Sequence, residues 1–183
     1  MRICMYGAAS DRINNNYKEC VEHLGELIAN GGHSLVYGAG ATGLMGACAR
    51  GVTKAGGKVV GVTPHFMHDI EDIYEECTEL IYTETMAERK TIMEDNADAF
   101  VIVPGGIGTY DEFFQVLTLK QLKQLHKPIV VYNVNGYYDY LPNVIGSGIV
   151  KGFISKDVAD MFEICETAED VISSIEKYFN EEA

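Results

Sequence analysis

The feature that most constrains this chain is a regular alternation. Short apolar runs that stop at glycine or proline take turns with longer segments of helical spacing. Residues 2–6 (RICMY) end at Gly7, and residues 17–30 then set Val21, Leu24, Leu27 and Ile28 on one helical face before Gly31-Gly32. The pattern predicts strands at 34–37 and 58–62, with a helix at 44–55 between them that closes at Gly56-Gly57. A short strand at 80–82 and a helix at 86–96 follow. Residues 99–103 are apolar throughout, as a strand buried on both faces must be. Helices at 109–125, 137–150 and 167–179 alternate with strands at 128–132 and 162–165.

Strands alternating with helices imply an α/β fold: a parallel sheet with right-handed crossovers and helices on both faces. At 183 residues, without linker or internal repeat, the chain reads as a single Rossmann-like domain over 1–183. Ligands of such folds bind at the carboxyl ends of the strands. That directs attention to the loops after Tyr6, Tyr37, Val62 and Val103.

Charge narrows the partners. The net charge is −13, and nothing in it would neutralise a phosphate backbone, so a nucleic-acid binder is not expected. Residues 66–98 hold 11 acids against 2 bases, and residues 151–183 hold 9 against 3; most of the surface elsewhere is nearly neutral. No apolar run is long enough for a membrane span and residues 2–6 read as a strand, so neither a membrane partner nor a signal peptide is expected. Five cysteines at 4, 20, 48, 77 and 165 form no CxxC pair, which suits a reducing cytoplasm. Cys4 and Cys48 read as small core residues. His65-x-x-His68-Asp69 has too few ligands for a metal site and reads as an exposed loop.

Two glycine motifs compete for the ligand. Gly38-Ala39-Gly40-Ala41-Thr42-Gly43 matches GxGxxG, but the acid that a dinucleotide site needs about 20 residues on is missing, Val62, Thr63 and Pro64 standing there. A tight turn, or a nest of N–H groups for a phosphate or ribose, remains open for it. The second motif runs Val103-Pro104-Gly105-Gly106-Ile107-Gly108-Thr109-Tyr110-Asp111-Glu112, after the most buried strand. Its glycines admit close approach, and N–H groups at a helix start favour an anion. Glu112 has two readings: a capping box with Thr109, or a carboxylate placed for chemistry beside a phosphate. Thr85 and Glu88 form a second capping box. Arg89 and Lys90 then lie in a first turn, where the helix dipole disfavours cations, which points to an anionic ligand.

Pro104-Gly105-Gly106-x-Gly108-Thr109-x-x-Glu112, with Met86-x-x-Arg89-Lys90 before it, resembles the LOG family of cytokinin riboside 5′-monophosphate phosphoribohydrolases. The likeness runs from the first strand to about Phe153 and takes in Gly43-Leu44-Met45-Gly46, Pro64 and Asn135-Gly136-Tyr137-Tyr138. Members are often labelled lysine decarboxylases, yet the sequence gives no support for a pyridoxal phosphate site, and neither cofactor nor metal is expected. The resemblance implies hydrolysis of the N-glycosidic bond of an adenine-type nucleoside 5′-monophosphate, cytokinin riboside monophosphate or AMP, to free base and ribose 5-phosphate. By position it makes Arg89 and Glu112 catalytic. It assigns substrate binding to Lys90, Met86, Gly40, Gly43, Gly105, Gly106, Gly108, Thr109 and Thr118, and sets Glu71 where plant members have a substrate-contacting acid. The alternative is a nucleotide-binding or molybdenum-cofactor-carrier-like protein without turnover. One departure stands out: the first loop reads Gly7-Ala8-Ala9-Ser10 where the family usually has Gly-Ser-Ser, although Tyr17 matches.

Assembly is also legible. In the segment 109–125, Phe113, Phe114, Val116, Leu117, Leu119, Leu122 and Leu125 spread apolar groups nearly all round a helix. The second apolar face needs cover, and the expectation is the same helix of a second subunit, with Leu119 or Leu122 in the contact. The competing cover is the chain's own C-terminal helix. The resemblance also implies a homodimer.

Overall fold

The computed structural model describes residues 1–181. Seven parallel strands make one sheet: β1 (Arg2–Tyr6), β2 (Ser34–Tyr37), β3 (Lys58–Pro64), β4 (Glu79–Thr83), β5 (Ala99–Ile102), β6 (Ile129–Tyr132) and β7 (Glu163–Cys165). Their order is β4-β3-β2-β1-β5-β6-β7. The chain winds outward from β1 in one direction, returns, and winds outward from β5 in the other. Ile3 pairs with Leu35 on one side and Ala99 on the other. The β1/β5 boundary is therefore the switch point, where the following loops diverge and leave a crevice.

Six helices cover the sheet: α1 (Asn15–Asn30), α2 (Gly43–Lys54), α3 (Met86–Asn96), α4 (Ile107–Gln121), α5 (Leu141–Val150) and α6 (Ala168–Glu181). One core layer unites Val21, Leu24 and Ile28 of α1, Leu44, Cys48 and Val52 of α2, and Val171 and Ile175 of α6. The other unites Met93 of α3, Phe113, Val116 and Leu117 of α4, and Leu141 and Ile145 of α5. Alternate residues of β1 and β5 serve opposite layers, so β5 and all of β1 beyond the exposed Arg2 are buried, as their apolar runs require. Cys4 and Cys48 lie in this core, and burial pushes the Cys48 thiol up to about 12.

Two expectations need correction. The helix predicted at 109–125 starts at Ile107 and stops at Gln121, because extended Gly106 serves as its N-cap; Leu125 lies beyond it, buried. The helix predicted at 137–150 starts at Leu141, since Asn135 and Gly136 adopt φ of 53° and 71° and turn the chain first. The 65–69 segment is a 3-10 turn whose His65 and His68 rings stack on Tyr82 at 4.9 and 5.5 Å. No group of three metal-ligating side chains forms among the described residues, nor is any helix there long and apolar enough to cross a membrane.

Candidate active site

Three of the four loops singled out by the switch-point rule, those after β1, β3 and β5, line one cavity of about 330 Å³; the loop after β2 lends it no residue. Gly7–Ser10 after β1 forms one wall, and Gly106, Gly108, Thr109 and Glu112 around the start of α4 form the opposite one. Met45 of α2, Met67 and Glu71 after β3, and Met86 and Arg89 of α3 complete it.

The second glycine motif divides by role. A Cβ on Gly105 would lie 2.0 Å from the Thr109 hydroxyl, so packing alone demands glycine there. On Gly106 or Gly108 a Cβ would meet nothing within 4 Å, and neither residue has a left-handed φ. Neither the backbone nor the packing calls for glycine at these two positions, and both line the cavity. The first bond of α4 runs from the Tyr110 N–H to Gly106 O at 3.1 Å, and no side chain caps the helix start. The N–H groups of the first turn thus stand open to an anion.

Thr109 and Glu112 make no capping box. With α4 starting two residues early, Thr109 sits in the first turn, 4% exposed, and Glu112 joins the cavity wall. Burial raises the Glu112 carboxyl to about 7, with Arg89 opposing the rise and Asp111 adding to it. Burial also raises Glu71, again against Arg89. One Glu71 carboxylate oxygen, Oε1, and the Arg89 Nε are buried without a partner. At Thr85 the cap itself forms, its hydroxyl accepting from the Glu88 N–H, while the Glu88 carboxylate accepts from the Glu84 N–H, one residue before the cap.

Arg89 is 6% exposed, and its Nη2 lies 3.4 Å from Gly38 O. A Cβ on Gly38 would stand 1.7 Å from that same nitrogen. The first glycine motif is therefore a passage for Arg89. It is no nest for a ligand, because Ala8 O accepts from the N–H groups of both Leu44 and Met45 at the start of α2. Gly43, with φ of 61°, gives room to the Ala8 and Ala9 backbone, and Gly40 gives room to Met45.

Of the residues expected in the site, Arg89, Glu112, Met86, Gly106, Gly108, Thr109 and Glu71 share the cavity. Gly105 lines a groove beside it with Ile13, Tyr17, Pro104 and Tyr137. Gly40, Gly43, Lys90 and Thr118 do not line it. Lys90 is 2.9 Å from Asp111 and ties α3 to α4, while the exposed Thr118 hydroxyl turns back to Phe114 O. Met45 and Met67 were not expected from the sequence. Nothing short of the fold could have shown that they meet.

A family described as "Possible lysine decarboxylase" matches residues 45–175. The chain is 37% identical to "Probable cytokinin riboside 5'-monophosphate phosphoribohydrolase LOGL5" of Oryza sativa subsp. japonica, over 97% of this chain and 72% of that protein. It belongs to the LOG family. Another LOG protein, cytokinin riboside 5'-monophosphate phosphoribohydrolase LOG5 of Arabidopsis thaliana, is 33% identical over 97% of this chain and 78% of its own. The LOG fold also extends to the Moco carrier protein of Chlamydomonas reinhardtii, with a TM-score of 0.74 at 21% identity over 98% of both chains. A pyridoxal cofactor would need a lysine amine for its Schiff base. No lysine lines this LOG cavity, so its residues do not fit that group.

Proposed function

We propose that this LOG protein is a hydrolase that cleaves the N-glycosidic bond of adenine-type nucleoside 5′-monophosphates, giving free base and ribose 5-phosphate. One observation carries the reading: Arg89 and Glu112 share a cavity with two glycines that neither backbone conformation nor packing requires. The names of the LOG relatives supply the reaction class.

The phosphate docks on the open N–H groups at the start of α4, where dipole and glycines suit a dianion. The ribose then lies towards Glu112, one helical turn on. As the base departs, positive charge grows on the sugar, and ionised Glu112 offsets it and orients a water for attack. Arg89, with its Nε unpaired, stabilises negative charge on the leaving base or the phosphate. Met45, Met67 and Met86 offer the base an adaptable apolar wall, suited to plain and N6-substituted adenine alike.

The test is incubation with AMP and with isopentenyladenosine monophosphate, followed by chromatography for free base and ribose 5-phosphate. Nucleotide recovered intact after long incubation would reject turnover and leave a carrier.

The active unit we propose is a homodimer in the cytoplasm. Phe114 of α4 and Leu122 at its C-cap are 39% and 60% exposed. The chain's own C-terminal helix does not cover them, because α6 packs in the opposite layer with α1 and β6.

A further inference from the structure

Three consecutive carbonyls of the loop before α4 are each held by one donor. The Tyr138 hydroxyl donates to Val103 O at 2.9 Å, the Ala8 N–H to Pro104 O at 3.1 Å, and the Tyr137 hydroxyl to Gly105 O at 2.5 Å. The C=O and N–H of one trans peptide unit point in opposite directions. Fixing Pro104 O and Gly105 O therefore also fixes where the Gly105 and Gly106 N–H groups point.

The two tyrosines come from the turn after β6, and that turn is itself anchored. Asn133, 3% exposed, accepts from the Tyr138 N–H at 2.6 Å and donates to Asp139 and Glu166 at 2.8 and 2.9 Å. The rings of Tyr137 and Tyr138 meet edge to face at 4.9 Å, and Tyr17 braces Tyr137 in the same manner at 6.5 Å.

The two hydroxyls differ in what explains them. Tyr138 is 3% exposed, and a buried hydroxyl needs a partner wherever it lies. Tyr137 is 38% exposed, so water could serve its hydroxyl, yet that hydroxyl faces Gly105 O. We infer that Tyr137 is a positioning residue for the phosphate cradle: by holding Gly105 O it sets the Gly106 N–H and the start of α4 to receive the anion. It touches no reacting atom. The phosphate in this inference rests on the phosphoribohydrolase reading; the held carbonyl does not.

Tyr137→Phe keeps the ring and its edge contacts and removes only the O–H. Amide exchange at Ala8 and Tyr110, whose N–H groups are bonded to Pro104 O and Gly106 O, should quicken about five- to tenfold, in line with the loss of one ordinary hydrogen bond. Ribose 5-phosphate should bind about tenfold more weakly by calorimetry, with adenosine unaffected. KM for the nucleotide should rise in parallel while kcat stays within about threefold, the pattern of lost uniform binding. Tyr138→Phe, which leaves a buried carbonyl unpaired, should instead lower the melting temperature without selective loss of phosphate ligands. If Tyr137→Phe behaved that way, or matched the wild type in exchange and in ribose 5-phosphate affinity, the inference would be overturned. Wild-type protein that ignores ribose 5-phosphate would overturn the phosphate reading and the purpose given to Tyr137. Faster exchange in the Phe variant would then still show which of the two had failed.

Discussion

Burial raises the Glu112 carboxyl and the Arg89 charge opposes that rise, and the balance between the two sets the chemistry of the cavity. A carboxyl with a pKa of about 7 is half ionised at neutral pH. Since the ionised form is the one that stabilises a ribosyl cation, turnover should climb as pH rises through about 7 and then level off. Glu112→Gln should lose at least 100-fold in kcat, the usual scale for such a group, and the pH step with it, while nucleotide binding persists. Its effect on stability has the opposite sign. The unfolded carboxyl titrates near 4.5 and the folded one near 7, so the folded state holds its proton more tightly and loses stability as pH rises between those values. Removing the carboxylate should therefore stabilise the protein above pH 7, by about 1–3 kcal/mol in denaturant unfolding, and hardly at all below pH 4.5. Arg89→Ala should abolish turnover. Lys90→Ala, which frees only the tether to Asp111, should weaken binding a few-fold, and a steady-state assay separates the two.

At the scale of elements, two glycines at the start of α4 and one in the loop after β2 give three different outcomes on mutation to alanine. Gly105→Ala forces a Cβ against Thr109 and should lower the melting temperature by several degrees. Gly108→Ala, inside α4 and facing open space, should raise stability by about 0.5–1 kcal/mol and yet lose nucleotide affinity at least tenfold. Gly38→Ala, across the cavity, should displace the Arg89 guanidinium and imitate Arg89→Ala in turnover assays. The sequence made the second motif readable as an anion site because strand, glycines and helix follow one another along the chain. It could not show that Thr109 fills the place of a Gly105 Cβ, which moves the helix start to Ile107 and releases Glu112 from a cap. The first motif was legible as unsuited to a dinucleotide from the missing acid at Val62–Pro64. Its service to Arg89 was not, because that residue arrives from 51 positions away. Strand positions were the easiest to read, since burial on both faces writes itself as unbroken apolar runs; the 137–150 segment misled because left-handed Asn135 and Gly136 delay its helix.

At the scale of the whole molecule, apolar Phe114 of α4 and Leu122 at its C-cap are exposed on the helix whose first turn is the proposed cradle. A partner seated there would brace the site from behind, so assembly and activity should be lost together. Light scattering at micromolar concentration should give twice 20.2 kDa for the native chain, and Leu122→Asp should give an inactive monomer. Leu119 is the poorer probe, because it packs partly into the core. A stable, fully active 20.2 kDa species would reject the dimer.

The Ala8 carbonyl has a wider meaning for how such sheets choose their ligands. It occupies the amides of Leu44 and Met45 at the start of α2, and the start of α4 is left uncapped. On the proposed reading the molecule offers two helix starts as berths for an anion and plugs one with its own backbone. Specificity in this architecture then turns on which berth the first loop happens to stopper, more than on the glycine spelling of either. A chain rerouted at Gly7–Ser10, with both glycine motifs untouched, would move its ligand across the sheet towards β2 and abandon Glu112. The short Ala8-Ala9 stretch is where evolution could change the trade of this fold without altering Arg89, Glu112 or either glycine motif.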